Sequence, residues 1–263
     1  MRAWTKRVLR SRGWELRRVH HRPLPRVEVL EAAGVRFPFW IANPHADEWW
    51  GTNGVTPSAE WTFLERSLAV GGTFIDVGAH HGILTVAGAL RVGPGGSVHA
   101  FEANAANALV LQANVTLNGC PWARTHHKAV AAEATTLLLG GEVVGRAGAD
   151  AIRVDAVDLD SYAAAEGIDA VDLLKIDVEG FETDVLEGAQ ETLRRTRSIN
   201  LELHVDHLPR YGSSVDRVLD LCGTENFDVV VLARDASWTS TSAWSRGDPL
   251  PRPGVLNLLM TRR

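Results

Sequence analysis

From Ser58 to the end of the chain, apolar positions switch repeatedly between a helical period and short continuous runs. SAEWTFLERSL spaces Trp61, Leu64 and Leu68 three and four apart behind an N-cap at Ser58, predicting a helix that stops at Gly71-Gly72. TFIDV at 73–77 predicts a buried strand, 83–90 a helix, SVHAF at 97–101 a second strand, and 105–117 a second helix closed by Asn118-Gly119. Strands are further expected at 125–130, 171–176 (VDLLKI), 199–205, 228–232 and 255–260. Helices are expected at 183–193, ending in Arg194-Arg195 where cations suit the dipole, and at 214–221. Strand and helix in alternation imply an α/β fold with a mostly parallel sheet. Between the last two strands, 233–254 carries Pro249, Pro251 and Pro253 and no helical period, so those strands are expected to pair antiparallel, with the connection a candidate lid. Residues 1–57, broken by Pro23, Pro25, Pro38, Pro44 and Pro57, read as an extension and cap before one domain at 58–263.

Composition narrows the class. A chain of 263 residues, 45% hydrophobic and 22% charged, has the make-up of a soluble globular protein and excludes disorder and coiled coil. Its net charge of -5 hides an asymmetry: residues 1–26 hold nine basic side chains against Glu15 alone, a +8 arm, and the other 237 residues carry -13. Cys120 and Cys222 are too few for a disulfide framework and suit a reducing cytoplasm. The absence of an 18-residue apolar run or a signal-peptide core argues against membrane insertion or export.

Three segments carry candidate chemistry. DVGAHHG at 76–82 forms the first strand-to-helix turn, where Gly78 and Gly82 allow close approach of a ligand and backbone N–H groups are expected to face it. Glu102 ends the second strand 24 residues after Gly78, where a carboxylate holds a ribose. Together they indicate an adenine nucleoside, in NAD or in S-adenosylmethionine. DLLKIDVEGFE at 172–182 puts Lys175 inside an apolar strand, where it needs a carboxylate partner, and sets Asp177 and Glu179 at the ligand-binding carboxyl end. In INLELHVD at 199–206, alternation places Asn200, Glu202, His204 and Asp206 on one face. If the two strands are neighbours, Asp177, Glu179, Glu202 and His204 converge, and a histidine near pKa 6.5 is a natural base for a hydroxyl.

TFIDVGAHHG, VGPGGSVHAFEANAANALVLQANVTLNG, DLLKIDVEGFETDVLEGAQETL and INLELH together resemble the FkbM-type methyltransferases, class I S-adenosylmethionine-dependent enzymes. The resemblance implies a Rossmann-like, seven-stranded sheet with the last strand antiparallel, and O-methylation of sugars or other small hydroxylated metabolites in natural-product or polysaccharide pathways. It assigns Asp76, Gly78, Ala79, His80 and Gly82 to the cofactor loop and Glu102 and Asn104 to the ribose side. Asp177 and Glu179 fall beside the methyl group and the acceptor hydroxyl. His80-His81 and Ala103 depart from the family pattern, which usually has Asn with an apolar residue, and Pro. The catalytic candidates are His204, Asp177, Glu179 and Lys175, with His204 the first choice as base and Asp177 the second. A divalent ion, Mg²⁺ or Mn²⁺, on Asp177, Glu202 and His204 is the alternative.

IDVEG stands where nitrogen-methylating enzymes of nucleic acids place Asn/Asp-Pro-Pro-aromatic, and a -13 body repels phosphate, so no nucleic-acid partner is expected. A non-catalytic cofactor-binding module would leave the converging polar residues without work. Trp49-Trp50, Trp61, Trp238 and Trp244 are expected either to stack on a substrate or to pack the cap and loop. The basic arm, anchored by Trp4 and Trp14, is expected to dock on its own acidic domain or on a second subunit.

Overall fold

The computed structural model describes residues 24–51, 58–140, 143–144, 151–233, 241–250 and 254–263. The basic arm through residue 23 and Trp238 lie outside the described residues. A hairpin of β1 (Arg26–Ala32) and β2 (Val35–Ile41) precedes helix α1 (Ala59–Ser67). Strands β3 (Thr73–Val77), β4 (Ser97–Glu102) and β5 (Ala123–His127) alternate with α2 (Ile83–Val92) and α3 (Ala105–Leu117). Four short strands follow: β6 (Ala129–Val130), β7 (Thr135–Gly140), β8 (Val143–Val144) and β9 (Ile152–Val157). The chain then continues through α4 (Leu159–Glu166), β10 (Val171–Ile176), α5 (Glu182–Glu187), α6 (Gln190–Arg194), β11 (Thr196–His204) and α7 (Val215–Cys222), and ends with β12 (Phe227–Ala233), β13 (Thr241–Trp244) and β14 (Val255–Arg262).

The main sheet has the order β13-β12-β14-β11-β10-β3-β4-β5. Neighbours from β11 to β5 are parallel, and β14 inserts antiparallel between β11 and β12. This is the class I arrangement with its last strand antiparallel. An eighth strand, β13, pairs with β12 inside the stretch read as irregular.

Two apolar layers cover the sheet. On one face Ile75, Val77, Leu174, Ile176, Ile199 and Leu201 pack with α4 to α7. On the other, Phe74, Val98, Ala100 and Leu173 meet α1, α2, α3 and the hairpin. The pattern 1–57 concealed that hairpin, because Pro38 read as a breaker. Pro38 sits opposite Val29 in an isolated two-stranded ribbon, where a missing N–H is tolerated. The tight turn at Ala33-Gly34 has both residues at positive φ. Phe37, Phe39 and Ile41 are fully buried, each contributing roughly 1.5–3 kcal/mol before chain entropy.

Other departures have local causes. The strand read at 125–130 divides, since β6 leaves the main sheet to join β9 in a four-stranded sheet of order β6-β9-β7-β8. The helix read at 183–193 breaks at Gly188, where a Cβ would fall 2.2 Å from the Ala131 carbonyl oxygen. Beyond the break, Asp160 accepts hydrogen bonds from the Glu191 and Thr192 backbone and restarts the helix as α6. Asn114 is wholly buried, accepting from Trp40 N at 2.6 Å and donating to His81 O at 3.0 Å, so it ties the hairpin and the first loop to α3.

Candidate active site

From β3 the sheet order grows one way through β4 to β5 and the other way through β10 to β11, so the crevice between β3 and β10 is the topological switch point. A cavity of about 550 Å³ opens over the carboxyl ends of these strands, a size typical of small-molecule sites. Its floor is set by Gly78, at φ +78°, where a Cβ would lie 1.7 Å from the Asp177 carbonyl oxygen. The loop's N–H groups, expected to face a ligand, are instead spent internally. Gly78 N and Ala79 N both donate to Phe101 O, His80 N to Glu102 Oε2, and Gly82 N to Ala79 O. What the glycine supplies is close approach of the backbone.

Glu102 is buried at the cavity edge, its two oxygens accepting from His80 N and Asn104 N at 2.8 Å each. An ionised carboxylate is an acceptor at both oxygens, with about four lone-pair positions, the chemistry that a hydroxyl donor needs. The Asn104 side chain caps α3, accepting from Ala106 N and Asn107 N, and Asn107 rather than Asn104 lines the cavity. His80 holds φ +50°, a left-handed conformation that Asn and His tolerate better than most residues. Its ring stacks on His81 and lies against Trp49 and Trp50.

Lys175 is the centre of a polar row across the sheet, in register with Asp76 on one side and Asn200 on the other. It is 3% exposed, with Nζ 3.1 Å from Asp177 Oδ2. Burial opposes its charge, but Asp177, Glu202, Glu60 and Asp76 overcome that and hold the ammonium above the usual lysine range. Asp76 lies behind the cavity. Burial lifts its carboxyl to about 6 against the opposing pull of Lys175 and of a 2.6 Å hydrogen bond from Thr85 Oγ1.

At the end of β11 the predicted alternation holds: Glu202 and His204 face the cavity while Leu201 and Leu203 enter the opposite core. His204 Nδ1 donates to Glu182 Oε1 at 2.8 Å. Its Nε2 faces Glu179 Oε2 at 3.5 Å, Glu202 Oε1 at 3.6 Å and Asp177 Oδ1 at 3.9 Å. Burial would lower this imidazole's pKa, but Glu179 and Glu182, joined by Asp177 and Glu202, raise it to about 10. Glu179 occupies a left-handed φ of +54° in the turn after β10. Next to it, Gly180 leaves room that a Cβ would lose, at 2.5 Å from His207 Cβ.

Gly78, His80, Glu102, Lys175, Asp177, Glu179, Glu202 and His204 therefore share one cavity, whereas Asp76, Ala79, Gly82 and Asn104 stand behind or beside it. Among the described residues, the candidate metal ligands whose atoms fall within 4.8 Å of one another are Asp177, Glu179 and His204, with Glu179 replacing Glu202 of the expected set. Sequence reasoning missed Glu182, fully buried and bonded to His204, although it closes the quoted KIDVEGFE motif. Missed also were Glu60, Asn107, Lys128 and His207 on the walls. Trp49, Trp50 and Trp61 line the cavity, bringing the cap segment to the site. Trp244 instead packs in the core, its Nε1 donating to Asp248 O.

A class I nucleoside-cofactor fold with an acidic cluster beside its switch point defines a methyltransferase-type domain. The FkbM methyltransferase domain model matches residues 76–228, and the chain belongs to that family. The curated 2-O-methyltransferase NoeI of Sinorhizobium fredii is 36% identical over 70 residues, 27% of this chain and 29% of that protein, so the match spans under a third of the relative's length. Similar solved structures include an O-methyltransferase from Bacillus cereus in complex with SAH (TM-score 0.42, 13% identity, 72% of this chain and 74% of that one). Two others are a SAM-dependent O-methyltransferase from Thermotoga maritima (0.44, 12%, 90% and 78%) and an rRNA methylase from Streptococcus thermophilus (0.45, 13%, 77% and 93%). No helix among the described residues is long and apolar enough to cross a membrane.

Proposed function

We propose that the chain is an S-adenosylmethionine-dependent O-methyltransferase acting on a hydroxyl of a small polyhydroxylated molecule, a sugar or a glycosylated metabolite. The observation that carries this reading is the meeting of the Gly78–Glu102 edge and the Asp177–His204 cluster in one cavity. The residues fit the cofactor: Gly78 admits a ligand against the β3 end, and Glu102 offers acceptors to a ribose diol. When bound, S-adenosylmethionine supplies an electrophilic methyl group on a cationic sulfur. Asp177, held by Lys175, lies between the two edges and favours that positive charge.

The acceptor hydroxyl is oriented over Asp177, Glu179, Glu202 and His204, and its proton leaves into that cluster as the oxygen takes the methyl group. Rate enhancement comes mainly from positioning and from exclusion of water beneath the Trp49, Trp50 and Trp61 wall. Aromatic faces beside carboxylates suit a sugar ring, whose C–H face stacks and whose hydroxyls donate. Glu48, Glu60, Glu102, Asp177, Glu179 and Glu202 outnumber the cations Lys128, Lys175 and His204, so the cavity repels phosphate, which favours a small acceptor over nucleic acid. Calorimetric titration with S-adenosylmethionine and with NAD⁺, followed by a glycoside and phenol panel, tests the proposal. NAD⁺ binding in place of S-adenosylmethionine, or cofactor binding without transfer to any acceptor, would refute it.

A further inference from the structure

The buried end of β11 has a hydrogen-bonding deficit that its own side chains do not resolve. His204 is 4% exposed, yet only its Nδ1 has a close partner. Nε2 points into a gap ringed by Glu179, Glu202 and Asp177 oxygens at 3.5, 3.6 and 3.9 Å, beyond the ~2.7–3.2 Å of a good N–H···O bond. Within the same shell Glu182, wholly buried, gives one oxygen to His204 Nδ1 and Gly180 N, while its other oxygen makes no hydrogen bond. Four carboxylates thus gather around the His204 imidazole and the Lys175 ammonium, and His207, stacked on His204, has its Nδ1 3.4 Å from Glu179 Oε2.

We infer that Asp177, Glu179 and His204 form a divalent-cation site that holds and polarises the acceptor hydroxyl; this rests on the methyl-transfer reading above. Three arguments support it. The ligand atoms lie within 4.8 Å of one another, and bonds of about 2.1 Å set ligand atoms ~3.0–4.2 Å apart, the range that brackets the contacts of Nε2 with Glu179 and Asp177. The Glu182 carboxylate accepts from Nδ1 and turns Nε2 inward, the arrangement in which a second carboxylate orients a ligating histidine, and the bound cation displaces the proton that the surrounding carboxylates otherwise hold on Nε2. Two carboxylates with one imidazole leave the remaining positions of a six-coordinate ion open toward the cavity, which suits Mn²⁺ or Mg²⁺ binding a hydroxyl or a vicinal diol.

The ion lowers the acidity barrier of the acceptor. The hydroxyl proton passes to the neighbouring Glu202 carboxylate, and the oxygen lone pair forms the C–O bond. The methyl–sulfur bond breaks with its electrons returning to sulfur, leaving S-adenosylhomocysteine and a methyl ether, with the ion unchanged.

The test is Mn²⁺ binding to the full chain after chelator treatment, without cofactor or acceptor, read by calorimetry and by electron paramagnetic resonance. The expected result is one saturable Mn²⁺ per chain with magnetic coupling to a histidine nitrogen, lost in His204→Ala and Asp177→Asn. Glu182→Gln should weaken binding about 10–100-fold. The nitrogen coupling is read on the wild-type protein, so a variant that fails to fold does not remove the test. Absence of saturable uptake, uptake without nitrogen coupling, or uptake unchanged in a folded His204→Ala protein overturns the site. Chelator-insensitive methyl transfer without Mn²⁺ uptake would sink the ion alone. Intact Mn²⁺ binding with no methyl transfer to any acceptor would sink the functional reading on which the acceptor role depends.

Discussion

Replacing Gly78 by alanine tests the geometry that brings the two halves of the site together. The new Cβ would lie 1.7 Å from the Asp177 carbonyl oxygen, where ordinary contact needs at least 3.4 Å, so the ends of β3 and β10 must part. The bond between them, Asp177 N to Val77 O at 3.0 Å, is the first contact at risk, worth about 1 kcal/mol. The left-handed φ adds about 1–2 kcal/mol and the overpacking about 1–3 kcal/mol, for a loss of roughly 3–6 kcal/mol. At about 2–4 °C per kcal/mol for a chain of this size, Tm should fall by roughly 6–24 °C. Two controls separate the contributions. Gly93 shares the positive φ but has no heavy atom within 4 Å of its added Cβ, so Gly93→Ala should lose only the backbone contribution. Gly95 has neither constraint, and Gly95→Ala should melt within about 0.5 kcal/mol of wild type. Scanning calorimetry of the three proteins, with cofactor titration at a temperature where all are folded, reads both effects. Equal melting of Gly78→Ala and Gly93→Ala would refute the steric argument, and unaltered cofactor affinity in Gly78→Ala would refute its place under the ligand.

Glu102→Gln should weaken S-adenosylmethionine binding by roughly tenfold or more, because one acceptor becomes an amide facing backbone N–H groups; an unchanged Kd contradicts the ribose role. Lys175→Met leaves Asp177 and Glu202 without their buried ammonium and should cost about 3–5 kcal/mol in urea unfolding, an expectation that an unshifted midpoint would defeat. Burial holds His99 near pKa 4, below its unfolded value of 6.5, so the unfolded chain binds the extra proton between those values. Its contribution is fully present above pH 6.5 and lost as pH falls toward 4, by about 2–3 kcal/mol, with Asp76 acting in the opposite direction. Urea midpoints of wild type and His99→Gln at neutral and acid pH should therefore converge on acidification, and parallel profiles would reject this. Asn114→Ala should destabilise by about 2–3 kcal/mol by stranding Trp40 N and His81 O, measured by thermal melting; a change below 0.5 kcal/mol would show that the hairpin is held otherwise.

The sheet was legible because parallel, doubly covered strands leave an apolar signature: TFIDV, SVHAF, VDLLKI and INLELH each mark a strand. The alternation in INLELH also indicated which face carries Glu202 and His204. What escaped notice depends on long-range contacts. Pro38 obscured a hairpin that is stabilised by packing on α2 and α3, and the short strands between 129 and 157 pair with one another rather than with the main sheet. Glu182 stands in the quoted KIDVEGFE motif, but its bond to His204, 22 residues further along the chain, exists only because β11 returns beside β10. The glycine loop was recognised, but the internal use of its N–H groups depends on Phe101 and Glu102 from the next strand.

The most direct test of the central claim is a mass-spectrometric assay of methyl transfer from isotopically labelled S-adenosylmethionine to a panel of glycosides, in wild type and Asp177→Asn. The account predicts that the label appears on an acceptor oxygen together with stoichiometric S-adenosylhomocysteine, and that the variant loses most turnover while remaining folded. A folded wild-type protein that transfers the label to nitrogen, or a variant that matches wild type, would contradict it.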